Sequence, residues 1–252
     1  FLTQCRKPLD RIETKQEKKD NSLSALVVFS LGDSRIVHAD LTEERAMLGS
    51  SFKTGDKIIT GPKSKVDIQI GEGTAIRLSA NTRMEFTQLV QGQGGNSDTK
   101  ILLNNGKLFA KVNKENKNDT FSLSTPTLVA GVRGTAFILE VKREETATLK
   151  VVEGSVSISP RVPFFEKIPL EEIEKNAGLK KINQTLLSSE MVLEKDQQVE
   201  APSNDKVLMN EKLDNRSIKD IIARLTEISS EKPYAAKKNK NERAYTRYII
   251  RL

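Results

Sequence analysis

The residues able to do chemistry are few. His38 is the only imidazole of the chain and Cys5 its only thiol. A zinc site built from Cys and His needs three or four such ligands and a disulfide needs two thiols, so neither is within reach. Any Ser or Cys nucleophile would have to be activated by His38, because no second base of that kind exists. Carboxylates stand side by side at Glu43-Glu44, Glu144-Glu145 and Glu171-Glu172. Adjacent acids in charged stretches are ordinarily solvated and keep ordinary acidity. Gln91-Gly-Gln-Gly-Gly-Asn-Ser97 has the glycine density of a phosphate-cradling loop, but it lacks the Lys-Ser/Thr and the helix that would hold an anion. It reads as a loop joining two strands. The expectation is a protein with no catalytic residue, no metal, no cofactor and no small-molecule substrate.

Charge is distributed unevenly. The formal net charge is +7, and almost all of it sits in residues 232–252, where Lys232, Lys237, Lys238, Lys240, Arg243, Arg247 and Arg251 face Glu242 alone. With Tyr234, Tyr245 and Tyr248 interleaved, such a tail can hold an anionic surface or nucleic acid by counterion release. A solvated tail is the plainer reading, and nucleic acid is not the expected partner. Hydrophobic residues make up 37% of the 252 and charged residues 30%, with 5% aromatic and no Trp. Part of the chain therefore lies outside a packed core. The longest apolar stretch, Ser24-Ala-Leu-Val-Val-Phe-Ser-Leu31, is far shorter than a membrane-spanning helix requires.

The opening Phe1-Leu2-Thr3-Gln4-Cys5 is followed by polar, charged residues 6–21. It resembles the end of a bacterial lipoprotein signal peptide, with Leu2 three positions before the Cys, although Gln4 stands where a small residue is usual. The resemblance implies a diacylglyceryl group on Cys5, with residues 1–24 as signal remnant and polar tether.

The elements that must position these groups are mostly strands. From 25 to 160 short alternating segments recur near every ten residues between Gly, Asn and Asp, as in Val66-Asp-Ile-Gln-Ile70 and Ala75-Ile-Arg-Leu78. That beat implies an all-β domain, a sandwich or a wound β-solenoid. Leu103-Asn-Asn-Gly-Lys-Leu108 and Val152-Glu-Gly-Ser-Val156 read as hairpin-like units with Gly at the turn. Residues 161–203 read as a mixed extension packing on the β domain, with a surface helix over 170–184 and returning strands at Met191-Val-Leu193 and Gln198-Val-Glu200. Residues 204–252 read as a helical C-terminal segment with the basic tail. Val207, Leu208, Leu213, Ile218, Ile221, Ile222, Leu225 and Ile228 form its apolar stripe, and a second helix opens near Ser217.

Several of these strings, in this order, resemble the FecR domain: Gly49-Ser-Ser-Phe-Lys-Thr-Gly-Asp-Lys-Ile-Ile-Thr60, the two strands just quoted, Ser79-Ala-Asn-Thr-Arg-Met84, and the units at Leu103 and Val152. The most specific is Thr125-Pro-Thr-Leu-Val-Ala-Gly-Val-Arg-Gly-Thr-Ala-Phe137, and Val192-Leu-Glu-Lys-Asp-Gln-Gln-Val199 is similar to the family's closing strand. The resemblance implies a mainly β, extracytoplasmic fold of solenoid or sandwich type, here followed by a small α-helical C-terminal region. Within the motif, Thr125, Pro126, Arg133, Gly134 and Thr135 read as structural. Pro126 fixes φ at a strand entrance, and Gly134 permits tight backbone beside Arg133, whose five donors suit carbonyls or a carboxylate.

The expected function is a non-enzymatic, lipid-anchored module of the bacterial cell envelope that binds or scaffolds another envelope protein, facing the periplasm or the cell surface. Two alternatives stand beside it. One is a component of a FecR-like transmembrane sigma-factor pathway, whose members carry a Trp-rich cytoplasmic segment and a spanning helix, neither of which occurs in this sequence. The other is binding to an anionic surface or nucleic acid through Lys237, Lys238, Lys240, Arg243, Arg247 and Arg251.

Overall fold

The computed structural model describes residues 23–92, 95–113, 117–142, 146–163 and 165–201, and the backbone of Tyr234 and Ala235. Cys5, the tether through residue 22, Glu144-Glu145 and the basic residues from Lys237 to Arg251 lie outside the described residues, as does 204–252 apart from Tyr234–Ala235.

In chain order the strands are β1 (Ala25–Leu31), β2 (Ser34–Val37), β3 (Glu43–Arg45), β4 (Ser51–Phe52), β5 (Lys57–Thr60), β6 (Lys65–Ile70), β7 (Thr74–Leu78) and β8 (Arg83–Gln91). There follow β9 (Ser97–Val112), β10 (Thr120–Ser124), β11 (Leu128–Val132), β12 (Thr135–Val141), β13 (Ala147–Glu153) and β14 (Ser155–Pro160). Two helices, α1 (Leu170–Lys175) and α2 (Ala177–Ser188), precede β15 (Met191–Glu194), β16 (Gln197–Ala201) and β17 (Tyr234–Ala235). Among the described residues no helix is long and apolar enough to cross a membrane.

The strands form two layers. The first runs β3-β2-β5-β8-β9-β10-β11-β14-β15 and the second β4-β1-β6-β7-β9-β12-β13-β16-β17. Pairing is antiparallel except between β9 and β10. Period-two alternation turns one face of each layer inward. Ile58, Met84, Phe86, Ile101, Leu123 and Ile158 of the first meet Ile68, Leu78, Leu108, Phe137, Leu149 and Val199 of the second in one buried core. From β10 on, the chain lays two strands in one layer, crosses, and lays two in the other. The fold is thus a sandwich in cross-section and a solenoid along its length, mainly β as expected, and the layers do not close on themselves.

The two glycine units work differently from the hairpins expected of them. Leu103-Asn-Asn-Gly-Lys-Leu108 lies inside β9, which runs without a turn from the first layer into the second. Residues 97–105 pair with β8 and residues 106–112 with β12. Gly106 makes the bend at φ +96°. At Gly154 (φ +79°) the chain likewise changes layer, since β13 pairs with β12 and β16 whereas β14 pairs with β11 and β15. A positive-φ glycine between apolar flanks serves a corner as readily as a turn.

The returning strands form as expected, as β15 and β16. The single helix expected over 170–184 is two, because Asn176 interrupts it and its Oδ1 accepts from the amides of Gly178 (2.9 Å) and Leu179 (3.2 Å), capping α2. Ile173, Leu179, Ile182, Phe165 and Val162 form a second, small core there. Within the segment read as helical, Tyr234–Ala235 is a short strand paired with Gln197 and Gln198.

Candidate functional site

Midway along one edge of the stack, where strands end, the β6–β7 turn, the β8–β9 loop, the β9–β10 connection and the β11–β12 corner surround a cavity of about 250 Å³. Ile70, Val112, Phe121 and Val132, each the buried end of a strand, supply its apolar lining. Ser97, Thr99, Asp119 and Thr120 add polar groups, with Glu72 on the facing turn. Asp119 Oδ1 accepts from the Ser97 amide at 2.8 Å, and Thr120 Oγ1 donates to Asp98 Oδ1 at 2.5 Å, so the loops are tied to one another. Arg133 also lines the cavity. It is exposed, and its guanidinium makes no hydrogen bond or ion pair among the described residues. A solvated cation beside a recess that is apolar at Ile70, Val112, Phe121 and Val132 and polar elsewhere suits a ligand that combines a carboxylate or other anion with a small apolar group.

The reason Arg133 projects is local. Gly134, at φ +66°, turns the chain from the first layer to the second. Thr135 Oγ1 donates to Ser155 O at 2.7 Å, bracing this corner against the one at Gly154, where an added Cβ would lie 2.7 Å from Gly134 O. Two strings far apart in sequence, Arg133-Gly-Thr135 and Val152-Glu-Gly-Ser-Val156, are thus one bracket in space.

Thr125 and Pro126 are at the other end of β11. Thr125 Oγ1 accepts from the amides of Thr127 (3.2 Å) and Leu128 (3.0 Å), and Arg161 Nη1 donates to Thr125 O at 2.9 Å while pairing with Glu166. That end is held together by its own hydrogen bonds. The five motif residues are therefore two groups, and only the Arg133 group borders a cavity.

His38 has its own setting. Its Nδ1 is 3.1 Å from Asp56 Oδ2 and its Nε2 is 3.9 Å from Glu44 Oε1. The Asp56 carboxylate also accepts from the amides of Ala39 (3.1 Å) and Lys53 (2.8 Å), so it ties two turns together. Nearby, hydrogen bonds from the Thr42 hydroxyl (2.6 Å) and amide (3.0 Å) hold the Asp40 carboxyl below its ordinary pKa. The pairing of His38 with Asp56 is not legible in the sequence, because 18 residues separate them.

Residues 56–157 match the family described as FecR protein. This stretch is similar to the FecR domain. The match takes in both halves of the Thr125–Thr135 motif and the bracket at Gly154, while Gly49 to Gly55 and the string from Val192 to Val199 fall outside it. No curated protein matches the chain. Among solved structures, a protein of Parabacteroides distasonis ATCC 8503 described provisionally as an anti-sigma factor, solved at 2.50 Å, is 16% identical with a TM-score of 0.41. The similarity covers 59% of this chain and 55% of that one, so this chain spans about half the length of that relative. A structure at 1.65 Å with the same description and source is 13% identical over 76% of this chain and 90% of its own, TM-score 0.40. A cell surface anchoring domain is 20% identical over 26% and 84%, TM-score 0.24.

Proposed function

We propose that the FecR-like domain is a non-catalytic recognition module of the bacterial cell envelope, held to a membrane by lipid on Cys5, and that it takes an envelope protein at the Arg133 edge. The observation that carries this reading is the guanidinium of Arg133, which has no hydrogen bond or ion pair among the described residues, beside a recess of about 250 Å³ with both apolar and polar lining. A protein segment presenting a carboxylate next to a small apolar side chain fits both features.

The test is a photo-crosslinking residue placed at Glu72, on the rim, in intact cells. An adduct with an envelope protein is expected, and Arg133→Glu is expected to weaken it about 10- to 100-fold, the range for losing a charge-assisted contact and adding repulsion. Because Arg133 is exposed, the same substitution should leave unfolding free energy within about 0.5 kcal/mol. Adduct yield indifferent to Arg133→Glu would remove the site. The anchor is tested separately by metabolic labelling with a palmitate analogue: label is expected on the wild-type chain and none on Cys5→Ala. Label retained by the alanine variant would place the lipid elsewhere.

A further inference from the structure

The longest apolar run of the sequence, Ser24 to Leu31, supplies β1, and the core uses only part of it. Ala25 and Val27 are buried in the core, whereas Leu26, Val28, Phe29 and Leu31 are exposed. A register shift between Val27 and Phe29 breaks the alternation, which leaves the neighbours Val28 and Phe29 exposed together. No full strand covers this edge, because β4 pairs with Ala25 and Leu26 alone. Beyond them the turn Met47-Leu-Gly-Ser50 runs alongside. The Val27 amide donates to Ser50 O (2.9 Å), the Gly49 amide to Val27 O (2.8 Å) and Ser30 Oγ to Ala46 O (2.8 Å). Met47 and Leu48 stand out from that turn, with Leu48 77% exposed. Six of the eleven large apolar side chains exposed among the described residues thus gather on one strand and the turn beside it. A contiguous apolar patch of this kind marks a contact surface.

The charges around the patch select what it meets. No charged residue occurs from Ala46 to Phe52, and exposed cations, Arg45 and Lys53, bracket that stretch. Arg45 Nη2 donates to Gly32 O (3.4 Å) just past the end of β1, and Lys65 faces Leu31 across the ladder. Lys63 is exposed in the adjoining turn, whose Gly61 amide donates to Asp33 O (2.7 Å). The carboxylates at this rim are fewer: Asp33 follows Gly32, and Glu72 follows Gly71, whose amide donates to Ser24 O. Glu43, Glu44 and Asp67 already face Arg35, His38 and Arg77. A second copy laid patch to patch would set like cations against one another. An anionic bilayer uses both features, since apolar side chains enter its interface while the cations meet its phosphates. We infer that β1 and the Met47–Ser50 turn form a membrane-docking surface. Phe29, Leu31, Met47 and Leu48 enter the headgroup region of an anionic bilayer, and Arg45, Lys53 and Lys63 contact its phosphates. The inference goes beyond the proposed function. It needs neither the lipid on Cys5 nor the Arg133 recess, which no residue of β1 lines, so it holds or fails separately.

The chain has no Trp, so a single introduced one reports on its own surroundings. The test uses the full chain carrying Cys5→Ala, which removes any acyl group there, together with Leu48→Trp. On vesicles of phosphatidylcholine and phosphatidylglycerol its emission is expected to move to shorter wavelength and to be quenched by lipids brominated on their acyl chains. Leu187→Trp, exposed on α2, is the control and should stay unquenched. Met47→Asp with Leu48→Asp should weaken sedimentation with the vesicles about 10- to 100-fold, the factor for withholding one buried apolar side chain, without moving the unfolding midpoint. Protein that sediments while Leu48→Trp stays unquenched would assign membrane binding to another part of the chain and overturn the inference. No sedimentation at all would overturn it as well. Emission already at short wavelength before vesicles are added would give the turn to another segment of the chain, or to a second copy if dilution reverses it, and either result would sink the assignment.

Discussion

Gly106→Ala is expected to destabilise the protein by about 3–5 kcal/mol, a fall in Tm on the order of 10 °C for a domain of this size. Two effects add. At φ +96° the backbone lies where an L side chain is strained, about 1–3 kcal/mol. The added Cβ would also stand 2.5 Å from Thr82 Cα and closer still to Thr82 Oγ1. Thr82 has little room to retreat. Its amide donates to Thr60 Oγ1 (2.9 Å), its carbonyl accepts from the Thr60 amide (2.9 Å), and its hydroxyl accepts from the Lys107 amide (3.1 Å). Overpacking against such a neighbour costs about 1–3 kcal/mol more. Gly49→Ala is the control, because Gly49 has φ +88° but nothing within 4 Å of the new methyl. It should show the backbone strain alone. Equal losses from the two substitutions in denaturant unfolding would disprove the clash.

Asp67→Asn is expected to cost a similar amount, about 3–5 kcal/mol, which separates it from an ordinary surface ion pair worth about 0–1 kcal/mol. Asp67 and Arg77 face each other in the β6–β7 ladder on the outer side of the second layer, yet they are only 3% and 7% exposed. Arg77 Nε donates to Asp67 Oδ1 at 2.6 Å and Nη2 to Oδ2, a two-pronged pair. Neutralising the acid leaves a buried guanidinium without its carboxylate. Replacing both partners together, Asp67→Val with Arg77→Leu, should recover most of the loss, since no charge is then stranded. A double-mutant cycle gives the coupling directly, and a coupling under about 1 kcal/mol would show that the pair behaves as if solvated.

How far the sequence anticipated this depends on the range of the interaction involved. Strand positions follow from local alternation, so Val66-Asp-Ile-Gln-Ile70 is legible as β6. That Asp67 is buried is not legible, because its partner is fixed by ladder register and its cover comes from beyond the strand. Gly106 and Gly154 signal positive φ, but a hairpin and a change of layer present the same local signal, and pairing elsewhere decides between them. For Arg133 the neighbouring sequence offers no converging polar group. The structure supplies Glu72, Ser97, Asp119 and Thr120 from three other connections. The break at Asn176 was in reach: an Asn two and three residues before the amides of Gly178 and Leu179 is a capping residue, and it divides the stretch read as one helix.

The open ends of the two layers carry a mechanical consequence. Each pair of strands is held chiefly by the pairs on either side, much as in repeat architectures. A load applied along the stack should therefore peel it from its extremities in small steps. The last piece to yield should be the long β9, which is stitched into both layers and cannot be withdrawn without opening each.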